Sequence, residues 1–215
     1  MSMIINKCSD VPKGSSSGVY PVITSEGESR QLFCDMDTVD GPWVVIQRRT
    51  SGDVDFYRDW ADYKNGFGDI LGNYWIGNDI IHILTNTPRI LRVELEAWDG
   101  RKGYAQYSKF QLANEHQNYT LFVQGFTGNV SYDAMAVHNG SNFSTYDRDN
   151  DYYPSFDCAG YYRGGWWYTF CYQANLNGPI KVANGKEDSL SMTWWCFPNI
   201  DQDYIPLKKS KMMMR

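Results

Sequence analysis

Short alternating runs of apolar and polar residues, broken by turn residues, cover most of the chain. Gly18-Val19-Tyr20-Pro21-Val22-Ile23 and Gln31-Leu32-Phe33-Cys34-Asp35-Met36 flank Ser25-Glu26-Gly27-Glu28, which predicts two strands and a turn. Trp43-Val44-Val45-Ile46-Gln47-Arg48-Arg49 is a continuous apolar run ending in charge, a buried type of strand. Asp59 to Lys64 opens on a capping aspartate and stops at Gly66, and Asn78 to Leu84 stops before Pro88, so both read as short helices. Arg89 to Trp98 then alternates apolar with charged positions, so one face is wet. Asp99-Gly100 is a strong turn signal. Tyr104 to Leu112 and Tyr119 to Phe126 continue an antiparallel meander. Residues 127–160 are polar and turn-rich, and an irregular stretch of that length is usually functional.

At 215 residues the chain fits a single domain, 1–215, with lobes. Net charge is −5, and Lys and Arg are scattered apart from Lys208, Lys209 and Lys211, which argues against nucleic acid as a partner. No apolar run reaches the roughly 18–20 residues that span a bilayer, so membrane insertion is not expected. The start, MSMIINKCSD, lacks the apolar core of a signal peptide; the expectation is a removed signal or a replaced start. Five cysteines are Cys8, Cys34, Cys158, Cys171 and Cys196. Cys8 with Cys34 and Cys158 with Cys171 are the natural pairs by proximity, although spacing alone leaves the connectivity open. Asn118, Asn129, Asn139 and Asn142 each head an Asn-x-Ser/Thr sequon. Paired cysteines and clustered sequons predict a secreted protein.

The chemistry concentrates between Tyr146 and Gly178. Asp147, Asp149 and Asp151 match the start of an EF-hand loop, but Tyr152 stands where that loop needs Gly and Cys158 where it needs Glu. An EF-hand is excluded, while a calcium-binding loop and a solvated acidic turn both stay open. Aromatics make up 16 % of the chain, and between Cys158 and Cys171 lie Tyr161, Tyr162, Gly164-Gly165 and Trp166-Trp167-Tyr168. Most such rings belong to a core; a few placed at a surface would make a ligand pocket. None of His82, His116 and His138 lies in HExxH and there is no G-x-S-x-G, so no enzyme is expected.

These residues resemble the fibrinogen-related domains. The resembling motifs are Asp147-Arg148-Asp149-Asn150-Asp151, Cys158, Gly164-Gly165-Trp166-Trp167-Tyr168, Cys171 and Asn175-Leu176-Asn177-Gly178. Trp43 to Arg49, Asp55-Phe56-Tyr57-Arg58-Asp59-Trp60, Gly66-Phe67-Gly68 and Tyr74-Trp75-Ile76-Gly77-Asn78 extend the resemblance over nearly the whole length.

The resemblance implies a three-lobed α+β fold. An N-terminal disulfide lobe (1–50) precedes a central lobe (51–140 plus a C-terminal strand) built around an antiparallel sheet. A loop-rich calcium and ligand lobe (141–200) follows. Calcium falls to Asp149 and Asp151, with backbone oxygens at Tyr153 and Ser155. In the ficolin-like and tachylectin-like branch an acetylated sugar sits beside the second disulfide. There the backbone at Cys171 and Tyr172 holds the acetyl oxygen, and Tyr162 and Phe170 stand at the aromatic funnel, with Trp194 or Trp195 replacing rings that this chain has lost. A cis peptide at Phe170–Cys171 is also implied. Two departures stand out: Tyr172 replaces a usual His, and Pro179 to Gly185 is short. The leading expectation is a secreted, calcium-dependent lectin of invertebrate type, recognising acetylated glycans such as N-acetylglucosamine on microbial surfaces in innate immunity. A homo-oligomer formed through Cys196 or a preceding segment would add avidity. The alternative is a protein-binding fibrinogen-like domain with a receptor, matrix or clotting-type partner, though no Arg-Gly-Asp is present.

Overall fold

The alternating runs pair as strands in a computed structural model, which describes residues 7–24, 27–182, 186–201 and 204–215. β1 (Gly18–Ile23) and β2 (Ser29–Asp35) form an antiparallel hairpin. Ser25 and Glu26 of its turn lie outside the described residues, as do 183–185 of the shortened loop. β3 (Trp43–Arg49) pairs with β2 and carries a small hairpin of β4 (Phe67–Gly68) and β5 (Tyr74–Trp75). Between them α1 (Trp60–Asn65) starts where the Asp59 carboxylate accepts the Asp62 N–H at 2.8 Å and ends at Gly66, φ 92°. α2 (Asn78–Leu84) stops at Thr85, whose hydroxyl donates to the Ile81 carbonyl at 2.7 Å.

β6 (Arg89–Ala97), β7 (Lys102–Leu112) and β8 (Leu121–Gly128) form the expected meander. β8 begins two residues later than the pattern predicts. Asn118 and Tyr119 take φ 50° and 47°, left-handed values that no strand residue adopts.

The last strand, β11 (Leu207–Met214), does not lie at an edge. It enters between β3 and β6, giving the order β1-β2-β3-β11-β6-β7-β8. One sheet therefore runs unbroken from the first fifty residues to the central ones. Leu207, Met212 and Met214 are buried in the main core, while Lys209 and Lys211 sit opposite Glu96 and Glu94 on the other face.

Two elements escape the pattern. α3 (Cys158–Tyr162) is a single short helix, and β9 (Ala174–Asn175) with β10 (Thr193–Trp194) is a two-residue ladder. Both are too short for periodicity to register. The 141–200 segment is tied to the sheet by β3. Gln47 Nε2 donates to the Leu176 carbonyl at 2.9 Å, and Arg49 Nη1 donates to the Leu176 and Gly178 carbonyls at 3.2 and 3.0 Å. Arg49 is 2 % exposed and lies 3.8 Å from the Phe56 ring centre, and burial pulls its pKa down to about 10. Gly164 and Gly165 serve close approach rather than an unusual φ. A Cβ on Gly165 would fall 2.5 Å from the Tyr63 ring, and one on Gly164 2.5 Å from the Asn177 oxygen.

Candidate functional site

The acidic loop is shaped by its own backbone. Asp147 turns away from its neighbours and accepts the Trp60 N–H at 3.0 Å, tying the loop to α1. Asp149 accepts the Asp151 N–H at 3.1 Å, and Asp151 accepts Tyr153 N–H at 2.7 Å and Cys158 N–H at 3.0 Å. Asp157 caps α3 by accepting the Gly160 N–H at 2.8 Å. These contacts bring one carboxylate oxygen each from Asp149, Asp151 and Asp157 within 4.8 Å of one another. None of the three enters an ion pair among the described residues. Burial, and then the neighbouring Asp149, holds the Asp151 carboxyl above the usual range.

A donor set made only of hard oxygens, like-charged and uncompensated, fits a calcium ion. The Tyr153 carbonyl accepts the Phe156 N–H at 3.1 Å, closing a turn over Pro154 and Ser155, and keeps a second lone pair. Asp157 is the member that sequence reasoning misses. Its signal is an aspartate immediately before a helix start, a position that favours a capping oxygen.

The two disulfides join Cys8 to Cys34 and Cys158 to Cys171, with Cα separations of 5.5 and 5.3 Å, inside the usual range. Cys196 takes part in neither and is half-buried. Among the described residues the cis peptides are Gly41–Pro42 and Phe197–Pro198. The Phe170–Cys171 peptide is therefore not cis, correcting that expectation; Cys171 instead turns the backbone at φ 66°.

The rings expected in a pocket fall into three places. Phe170 is 72 % exposed. Tyr162 is half-buried against Tyr168 and Tyr172, with ring centres 6.5 and 4.8 Å away. Trp194 is fully buried, its indole donating to the Tyr132 carbonyl at 3.1 Å, and Trp195 packs on Tyr132 at 4.5 Å. Among the described ring contacts neither tryptophan meets Tyr162, Phe170 or Tyr172. Tyr172 itself is 7 % exposed, its hydroxyl donates to the Ser189 carbonyl, and burial pushes its phenol up. The Tyr204 hydroxyl donates to the Tyr172 carbonyl at 3.0 Å. The Tyr172 ring beside the second disulfide is thus packed into the protein rather than presented to solvent.

His138, which lies in no catalytic motif, has a structural post. It is fully buried, and its ring bonds to the Trp167 carbonyl, Gln173 N–H and Ala174 N–H at 2.7, 3.3 and 3.2 Å. It pins both ends of the segment that contains Cys171.

Antiparallel sheet, disulfide-bounded loop and acidic cluster together define a fibrinogen-like globe. The family model for the C-terminal globular domain of the fibrinogen beta and gamma chains matches residues 4–215, and the protein belongs to that family. It is 50 % identical over 204 residues to Angiopoietin-related protein 7 of Mus musculus, covering 93 % of this chain and 59 % of that protein. The chain spans little more than half the length of that relative. The fibrinogen-like globe domain of human ANGPTL2 superposes with a TM-score of 0.90 at 37 % identity, covering 98 % of each chain. A lamprey fibrin D-dimer complexed with the peptide ligand Gly-His-Arg-Pro-amide superposes with a TM-score of 0.82 at 27 % identity, covering all of this chain and 74 % of that one.

These relatives correct the leading expectation. Angiopoietin-related protein 7 and ANGPTL2 are vertebrate and angiopoietin-related rather than ficolin-like, tachylectin-like or invertebrate, so the lectin reading, acetylated-glycan partners and innate immune recognition are set aside. The structure adds a physical difference at Tyr172, where the lectin branch usually has His: the ring is buried and its hydroxyl is bonded to the protein's own Ser189 carbonyl.

Proposed function

We propose that the protein is a protein-binding fibrinogen-like domain of a secreted, angiopoietin-related protein, and that it binds rather than catalyses. The observation that carries this reading is a ridge of exposed rings beside the acidic cluster. Phe170, Tyr161 and Tyr153 are 72, 51 and 41 % exposed. Ring centres run from Phe170 to Tyr153 at 6.0 Å, on to Phe156 at 5.4 Å and to Tyr161 at 4.9 Å. Exposed aromatic clusters mark protein interfaces, where Tyr and Trp anchors carry most of the energy. That a lamprey relative holds a tetrapeptide supports a peptide-like partner. The two disulfides and four sequons support secretion, and no helix of the described residues is long and apolar enough to cross a membrane.

Asp149, Asp151 and Asp157, with backbone oxygens at Tyr153 and Ser155, would hold calcium. Its two positive charges would offset most of the charge of the three adjacent carboxylates, and its bonds would stiffen the loop that carries Tyr153 and Phe156. The test is a screen against displayed extracellular proteins with the wild-type domain and a Tyr161→Ala/Phe170→Ala variant. At least one saturable partner is expected, weakened roughly tenfold or more in the variant, as for a lost hot spot. A partner bound equally by both proteins would remove the ridge from the interface, and no partner at all would overturn the reading.

A further inference from the structure

The outer face of the sheet carries a cleft of about 460 Å³. Strand register makes it. On β6, Leu91, Val93, Leu95 and Ala97 point into the core, so Arg92, Glu94 and Glu96 point away. Their neighbours are Lys209 and Lys211 on β11, and Lys102 and Tyr104 on β7. Arg48, Arg92, Lys102, Lys209 and Lys211 line the cleft against only Glu94 and Glu96, in a protein whose net charge is −5.

The carboxylates are outnumbered at close range. Glu96 meets Lys209 at 3.2 Å and Lys208 at 3.4 Å, and Glu94 meets Lys211 at 2.9 Å and Arg92 at 3.1 Å. Lys211 also reaches Asp35 at 2.8 Å. Lys102 is exposed and enters none of the described ion pairs.

We infer that this cleft binds a sulfated polysaccharide. A linear polyanion matches cations spread over adjacent strands roughly 4.8 Å apart. Sulfate esters stay ionised and accept paired N–H donors from arginine, as phosphate does. A protein partner would want apolar anchors, but Leu95 at the cleft turns its side chain into the core, and the Tyr104 ring is covered by Arg92 at 3.9 Å. This face is built by β6, β7 and β11 and is independent of the aromatic ridge, so either proposal can fail alone.

The test is calorimetric titration of the N-deglycosylated protein with a heparin octasaccharide over about 50–150 mM NaCl, a range in which exposed charges are only partly screened. Saturable binding is expected, weakening as salt rises because condensed counterions are released. Lys102→Glu with Lys209→Glu should weaken it by about tenfold or more, since two attractive contacts become repulsive. Should that pair fail to fold, Lys102→Glu alone carries the test, because its side chain is exposed and enters none of the described ion pairs. Lys13→Glu, an exposed cation outside the cleft, should leave affinity within about twofold. Unsulfated hyaluronan should bind much more weakly than heparin. Absence of binding at the lowest salt would overturn the inference. So would equal losses in the Lys13 and Lys102 variants, or equal affinity for hyaluronan.

Discussion

Nε2 of His138 accepts the backbone N–H of Ala174 at 3.2 Å, and that single contact fixes the tautomer of the ring. Facing a second N–H donor at Gln173, Nε2 must be bare, so Nδ1 carries the proton and donates to the Trp167 carbonyl. The ring is neutral in the folded state, and burial lowers its pKa from the ordinary 6.5 to about 4.

Acid should therefore loosen the loop lobe. The folded pKa lies below the unfolded one, so the unfolded state binds the extra proton first. Stability is full above pH about 6.5 and is lost as pH falls toward about 4. Between pH 7 and 5 the loss attributable to this residue should be about 2 kcal/mol. Urea midpoints of wild type and His138→Gln at the two pH values check this: the variant should be weaker at pH 7 and lose much less on acidification. Equal pH slopes would remove His138 as the cause.

Calcium should stabilise the domain. At about 100 times its dissociation constant the ion should add roughly 2.7 kcal/mol, lost on chelation. Asp149→Asn and Asp157→Asn should each abolish most of this gain. The amide of the Asp157→Asn variant would keep a capping oxygen for Gly160, so the fold itself should survive in the calcium-free protein. Because the Asp151 carboxyl is held above its usual range by burial and Asp149, calcium affinity should begin to fall at a higher pH than for ordinary aspartates. Thermal unfolding with and without calcium reads all of this out.

Gly165→Ala should destabilise by about 1–3 kcal/mol through overpacking. The added methyl would meet the Tyr63 ring, which is fully buried and held by its hydroxyl to the Phe56 carbonyl at 2.7 Å, so it has nowhere to go. Chemical denaturation would measure the loss; a change under about 0.5 kcal/mol, the level of an ordinary surface substitution, would mean the ring can shift.

Phe170→Ala should leave stability within about 0.5 kcal/mol, because the ring is 72 % exposed. Trp167→Ala, removing a fully buried ring in contact with Trp75 and Phe143, should cost about 3–5 kcal/mol. The contrast separates the surface aromatics of this lobe from its core, and similar losses in the two variants would contradict it.

Local chemistry makes much of the sheet and the two longer helices legible. Asp59 and Gly66 bracket α1 by capping, and Pro88 lies just beyond α2, so their bounds follow from neighbouring residues. The alternation of Arg89 to Ala97 marks the wet face of β6. A C-terminal strand in the central lobe is implied by the resemblance, but the place of β11 between β3 and β6 is not legible. It shows only when Glu94 and Glu96, more than a hundred residues earlier, stand opposite Lys211 and Lys209. The same holds for the loop lobe. Asp149 and Asp151 advertise themselves by spacing, but Asp157 joins them only through the fold. Whether Tyr172 opens or fills a pocket depends on Ser189 and Tyr204, which no local pattern links to it.

The central place of β11 has a consequence for how the protein is made. Ser210 pairs with Arg49 on one side and Leu95 on the other, so two halves of the sheet wait for a strand synthesised after both. Contacts this distant in sequence form slowly. A ribosome that stops before Leu207 releases a polypeptide with two unsealed strand edges facing each other. β11 thus acts as a completeness check: the sheet closes only once translation has passed it, and a truncated product presents sticky edges to the cell's quality control.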